Sequence, residues 1–191
     1  MEAFREFLQE FPHYTPSAFE SVLPFLSEKT IQPSEFLLRE GNTSRHIAFI
    51  ESGLVRQFYY HDDKEVTFCF CRENSVTTSS QSFILQKKSD LSIQALEETK
   101  LILLSHDSLQ KLFEIDPFWQ QLARFATQNE LIRSESHSRL LKDKSATDRY
   151  LEILNNDKAL LQRVPLNYLA SYLQVTPETL SRIRKKISRS H

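Results

Sequence analysis

The stretch "VTPETLSRIRKKISRSH", residues 175–191, sets Glu178, Arg182, Lys185 and Arg189 at helical spacing, within about 60° of one another on a helical wheel. Those residue types can read a nucleic acid. Arginine bonds guanine O6 and N7 in a fork, glutamate accepts from cytosine N4, and the remaining cations meet phosphates. Leu180, Ile183 and Ile187 share the opposite face, so one side can pack while the other meets a polyanion. Thr176 is a good N-cap, Pro177 suits the first helical position, and Glu178 favours the positive dipole end. The open amides there can hold a phosphate as well. Ser181 on the same helix joins the candidate set.

Such a helix needs a support. Just before it, "PLNYLASYL" carries Leu166, Leu169, Ala170 and Leu173 on one face, and "QVT" leaves room only for a tight turn. Small Ala170 lets two crossing helices approach. The pattern predicts a helix-turn-helix. Such turns often place glycine where Gln174 stands, so either Gln174 adopts a left-handed conformation at roughly 1–2 kcal/mol or the turn takes another shape.

Charge follows the same division. Residues 1–132 hold 12 Lys/Arg against 19 Asp/Glu, whereas residues 133–191 hold 12 against 6. An acidic body with a basic C-terminal section predicts that only the latter meets a polyanion. No apolar run reaches the length of a membrane span, and the acidic, amphipathic "MEAFREFLQEF" is unlike a secretory signal, so a cytoplasmic location is expected. Cys69 and Cys71 in "TFCFC" would share one strand face as reduced thiols. His46, His61 and His106 are scattered and bring no paired ligands, so neither a metal centre, a cofactor nor a catalytic residue is expected.

Along the chain, residues 1–28 carry helical spacing interrupted at Pro12 and Pro16. From about 30 to 105, short runs rich in β-branched and aromatic residues follow: "EFLLRE", "HIAFIES", "LVRQFYY", "EVTFCFC", "LSIQALE" and "KLILLS". Gly41, Gly53 and "HDDK" at 61–64 mark reversals between them. The expected class is therefore α+β: an N-terminal antiparallel β-roll (a jelly roll) with flanking helices, a long helix, and a C-terminal helix-turn-helix. The long helix is read from about Asp116 to Leu141. On it Phe118, Leu122, Phe125, Asn129 and Ile132 form a heptad-like seam with a polar residue that can fix register. Such a stripe could pack on the chain's own roll; the length of the whole helix, roughly 39 Å, favours a partner helix and hence a homodimer.

This combination resembles the Crp/Fnr family of bacterial transcription regulators. "REG" at 39–41, "FIESGLVRQF" at 49–58 and "VTPETLSRIRKK" at 175–186 carry the resemblance most specifically. It implies an effector roll at 1–115, a dimerisation helix at 116–142 and a DNA-binding domain at 143–191. It also implies base reading by Pro177, Glu178 and Arg182, with backbone contacts from Thr176 and Thr179. Double-stranded DNA, a second copy of the chain, RNA polymerase and a small effector are the partners it brings. Two departures from the family's pattern stand out. With four residues after Ile187, no β wing is expected behind the recognition helix. The cyclic-nucleotide cassette's Gly-Glu pair and Arg-Ser are absent from "NSVTTSSQSFILQKKSDLSIQAL", where Ser89-Asp90 stands in place of the latter. Without that Arg a cyclic phosphate loses its bidentate partner, so an effector other than cyclic AMP is expected. Thr77, Thr78, Ser79, Ser80, Ser82, Lys87, Lys88 and Ser89 are its candidate pocket, and a solvated loop is the alternative. The competing function is an effector-binding or interaction module whose basic tail binds a protein.

Overall fold

The computed structural model describes residues 1–188, apart from the side chains of 133, 137 and 140. It divides into two compact units, residues 1–59 with 69–128, and residues 60–68 with 129–191.

The first unit opens with α1 (Glu2–Gln9) and α2 (Pro16–Val22). Thr15 caps α2 by accepting from the Ala18 N–H at 3.2 Å, and Pro16 occupies the first helical position. Strands β1 (Leu26–Ile31), β2 (Phe36–Leu38), β3 (His46–Ser52), β4 (Leu54–His61), β5 (Lys64–Arg72), β6 (Ser75–Thr77), β7 (Ser92–Ala95) and β8 (Thr99–Ser105) form two antiparallel sheets. Their orders are β1-β8-β3-β6 and β2-β7-β4-β5. Between β6 and β7 lies α3 (Ser80–Leu85); after β8 come α4 (His106–Ile115) and α5 (Pro117–Asp143).

The expected roll is present, with differences at its edges. Strand β1 starts at Leu26, inside the segment read as helical to residue 28; its pairing with β8 holds it there, and only Ile31 of its six residues is fully buried. Short β6 and α3 fall in the candidate-pocket stretch, for which the sequence suggested no strand or helix. The run "LILL" in β8 does not alternate because its sheet is buried on both faces. Leu101 and Leu103 meet Ile50, Val55, Ile93 and Cys71 inside the roll. Ile102 and Leu104 join Phe49 on the other side, under α1, α2, α4 and the start of α5. Parity along the strand sorts the two cores.

Turns in this glycine-poor chain are made mostly by other residues. Gly53 does require its type: φ is +104°, and a Cβ would sit 2.6 Å from the Glu98 carbonyl oxygen. Elsewhere Asp62, Asp63 and Asn74 take positive φ, and the Asp62-Asp63 pair closes the β4–β5 hairpin. One charge is buried in the roll. Arg56, 1% exposed, donates to Gln94 Oε1 at 2.9 and 2.7 Å and stacks on Phe58.

The seam expected on α5 is split. Phe118 is 3% exposed and Leu122 packs beside it in the core, so both belong to the roll rather than to a partner helix. Phe125 touches Phe11 edge-on at 5.4 Å and is 40% exposed. Asn129 and Ile132 are exposed, as is Leu131.

In the second unit, α6 (Ala146–Asn156) is capped by Ser145 and α7 (Lys158–Arg163) by Asp157, whose Oδ1 accepts from the Leu160 N–H at 3.1 Å. Helices α8 (Leu166–Tyr172) and α9 (Pro177–Ser188) follow. Buried Leu169, Ala170, Leu173, Leu180 and Ile183 supply their shared core. Among the described residues no strand follows Ser105.

Candidate nucleic-acid interface

Helices α8 and α9 meet through the turn Leu173–Thr176. The Val175 N–H bonds to the Ala170 carbonyl and the Gln174 N–H to that of Ser171, both at 3.0 Å. Gln174 has φ +52°, so the left-handed geometry of a glycine turn is kept without glycine. At the start of α9 the Thr176 hydroxyl accepts from the Thr179 N–H at 3.2 Å, as a cap should, and donates to Thr179 Oγ1. Arg182 Nη2 donates to that same Thr179 oxygen at 3.2 Å. A three-residue chain of polar contacts thereby steers the Arg182 fork.

Glu178 is fully exposed, and its carboxyl pKa lies below the ordinary carboxylate value. The largest cause is its own backbone N–H at the helix start, followed by the Thr176 side chain; Arg182 adds a smaller pull, and slight desolvation opposes them. Exposed too are Thr176, Pro177, Ser181, Arg182 and Lys185, while Thr179 is half-buried. Leu180 is fully buried and Ile183 is 9% exposed. The expected two-faced helix is therefore present, with one polar face carrying a carboxylate and cations. Arg189 lies outside the described residues. Sequence reasoning passed over Arg184, which lines an open hollow with Tyr150, Leu154 and Ile187. Its i+2 offset from Arg182 sets it on another face of α9, a signal legible in the wheel.

The candidate effector residues come together, but mostly to bond one another. Ser89 Oγ donates to Ser79 Oγ at 2.9 Å, and Thr77 Oγ1 accepts from Gln57 Nε2 at 2.9 Å. Thr78 Oγ1 donates to the His46 carbonyl at 3.0 Å, and Ser82 Oγ accepts the Ser44 N–H at 2.8 Å. Ser80, Lys87 and Lys88 are exposed. The stretch is thus an ordered hydroxyl cluster around α3 rather than a solvated loop. Gln57 and Ser44 were not legible as members, since they arrive from β4 and the loop before β3.

Residues 28–116 match the family described as cyclic nucleotide-binding domain. Among solved structures, FixK2 from Bradyrhizobium japonicum aligns with a TM-score of 0.75 at 21% identity, covering 86% of this chain and 85% of that one. The c-di-GMP-responsive global regulator CLP of Xanthomonas campestris aligns at 0.75 and 17% identity, over 92% and 93% of the two chains. The chain shares its fold with these two proteins. The Thermus thermophilus catabolite activator protein shares it at a TM-score of 0.60 and 19% identity, over 94% of this chain and 86% of that one. No curated protein sequence matches. The matched residues 28–116 contain nearly all of the β1–β8 roll, and α8 and α9 are two helices joined by a tight turn. No described helix is long and apolar enough to cross a membrane. Nor do the described residues gather three or more His, Cys, Asp or Glu side chains able to hold a metal ion.

Proposed function

We propose that this chain is a transcription regulator that binds DNA as a dimer and reads an inverted repeat with α9. One observation carries the reading: α9 is capped by Thr176, buries Leu180 and Ile183, and leaves Glu178, Arg182 and Lys185 exposed. Glu178 stays ionised at neutral pH, which suits an acceptor for cytosine N4, and Arg182, hydrogen-bonded to Thr179, supplies the bidentate bond to guanine in this reading. Thr176, Pro177, Thr179, Ser181, Lys185 and Arg189 complete the contact set. The exposed half of α5, with Phe125, Asn129, Leu131 and Ile132, supports a helix-to-helix dimer contact within a dimerisation segment at 116–142. Two such domains (143–191) would place half-sites about one helical turn, roughly 34 Å, apart. The global regulator CLP, which shares the fold, supports this assignment.

The roll, residues 1–115, is the effector domain in this reading. Any polar effector at residues 77–89 must replace the Ser79–Ser89 and Gln57–Thr77 bonds with its own. The departures at Ser89-Asp90 argue against cyclic AMP.

The deciding experiment is selection of the full chain against randomised duplex DNA, with Arg182→Ala in parallel. The expected result is an enriched inverted repeat, with the variant losing roughly 1–3 kcal/mol at one base position of each half-site. Equal binding of both proteins to every sequence would overturn the reading, as would nuclease-resistant capture of a protein by the basic tail without any DNA preference.

A further inference from the structure

Cys69 and Cys71 lie two residues apart on β5, and their Sγ atoms stand 3.6 Å from each other. Neither is in a disulfide. Both sulfurs belong to the apolar interior of the roll: Cys71 is 3% exposed, and Cys69 packs with Leu37 and Leu91 against the same core. Cys69 is only half-buried, which opens one side of the pair. Gln57 Nε2 lies 3.9 Å from Cys71 Sγ and donates toward it.

The spacing of the two sulfurs selects among soft ligands. Taking a bond to sulfur of about 2.3 Å, the zinc value, a linear two-coordinate ion needs its sulfurs about 4.6 Å apart. A centre whose two bonds meet near 100° needs about 3.5 Å. Zinc itself wants four ligands, and the described residues offer no third Cys, His or carboxylate beside the pair. A disulfide would require the sulfurs to close to about 2.05 Å while their residues stay roughly 6.6 Å apart along a strand, at the far limit of disulfide geometry.

We infer that Cys69 and Cys71 form a dithiol site for pyramidal trivalent arsenic, as arsenous acid or an organoarsenical. With arsenous acid, two As–OH bonds break and two As–S bonds form. Each thiol proton leaves with a hydroxide as water, and the arsenic keeps its third hydroxyl and its oxidation state. The apolar walls then shield the new bonds from hydrolysis. The inference concerns the roll alone and holds whether or not α9 reads DNA.

The test treats the native full chain, its Cys69→Ser and Cys71→Ser variants and the double variant with phenylarsine oxide, followed by intact-mass measurement. The expected result is one phenylarsenic group per folded chain, gained with loss of one water. It should resist a monothiol but be removed by a 1,2-dithiol. Each single variant should release it about 100-fold faster in monothiol, since the second As–S bond is then no longer intramolecular. Circular dichroism of each variant reports that it folds. Equal retention by a folded single variant, or labelling of the wild type only after denaturation, would overturn the inference.

Discussion

The Ser171 hydroxyl accepts the backbone N–H of Thr67 at 3.0 Å and returns a bond of 3.0 Å to the Glu65 carbonyl. Ser171 sits at the end of α8 and Thr67 in β5, 104 residues away, yet residues 60–68 and 129–191 make one compact unit. One side chain therefore completes backbone hydrogen bonding between a hairpin tip and the helix that supports α9.

Removing that hydroxyl should loosen the tip. Ser171→Ala deletes both bonds at about 1 kcal/mol each. Hydrogen exchange at the Thr67 amide should speed up by one to two orders of magnitude, with other amides of β5 affected less. An unchanged Thr67 exchange rate would show that the hairpin tip is held by other means.

The turn before α9 predicts a gain. Gln174 carries φ +52° and is exposed, so it bears the left-handed penalty with no side-chain packing to lose. Relief of roughly 1–2 kcal/mol is partly offset by the greater freedom of glycine in the unfolded chain. Gln174→Gly should stabilise the protein by about 0.5–1 kcal/mol, raising the denaturant midpoint at unchanged slope. A lower midpoint would mean that Gln174 makes a compensating contact.

Two positions on α5 should separate folding from association. Phe118 is 3% exposed in the core beside Trp119, so Phe118→Ala should cost about 3–5 kcal/mol. Ile132 is 61% exposed, so Ile132→Glu should leave the intrinsic stability of the subunit nearly unchanged. If α5 pairs with its copy, sedimentation at micromolar concentration should shift from dimer to monomer in Ile132→Glu. A wild type that sediments as a monomer would remove the dimer from the proposal.

Acid should weaken the roll through His46. Burial first, then the nearby charges of Lys29 and Arg45, hold its pKa below the ordinary 6.5. The unfolded chain therefore binds more protons at this site as pH falls below 6.5. The stability owed to the neutral ring is complete above 6.5 and is lost toward the lower folded pKa. His46 remains largely exposed, so solvent screens the shift and the effect is small. His46→Gln should flatten the fall in Tm between about pH 7 and pH 5; an identical slope in both proteins would assign the acid sensitivity elsewhere.

Features set by local chemistry are legible in the order of the residues. Proline and threonine at 176–177 start α9, Ser145 starts α6, and the spacing of Leu180 and Ile183 fixes which face of α9 packs. These depend on residues within a turn or two, so periodicity and capping suffice to read them. The polar face holding Glu178 and Arg182 follows from the same wheel.

Other features emerge only on folding, because the contacts that set them join distant residues. The stripe on α5 looked continuous, but the first core claims Phe118 and Leu122 and leaves Ile132 outside. Gln57 enters the hydroxyl cluster only because β4 lays it beside Thr77, 20 residues away in sequence. Strand β1 carries little hydrophobic signal, since it is held by its pairing with β8 from Leu26–Leu104 to Ile31–Thr99. Strand parity put Cys69 and Cys71 on one face, whereas their 3.6 Å separation and apolar surroundings come from the closing of the roll around them.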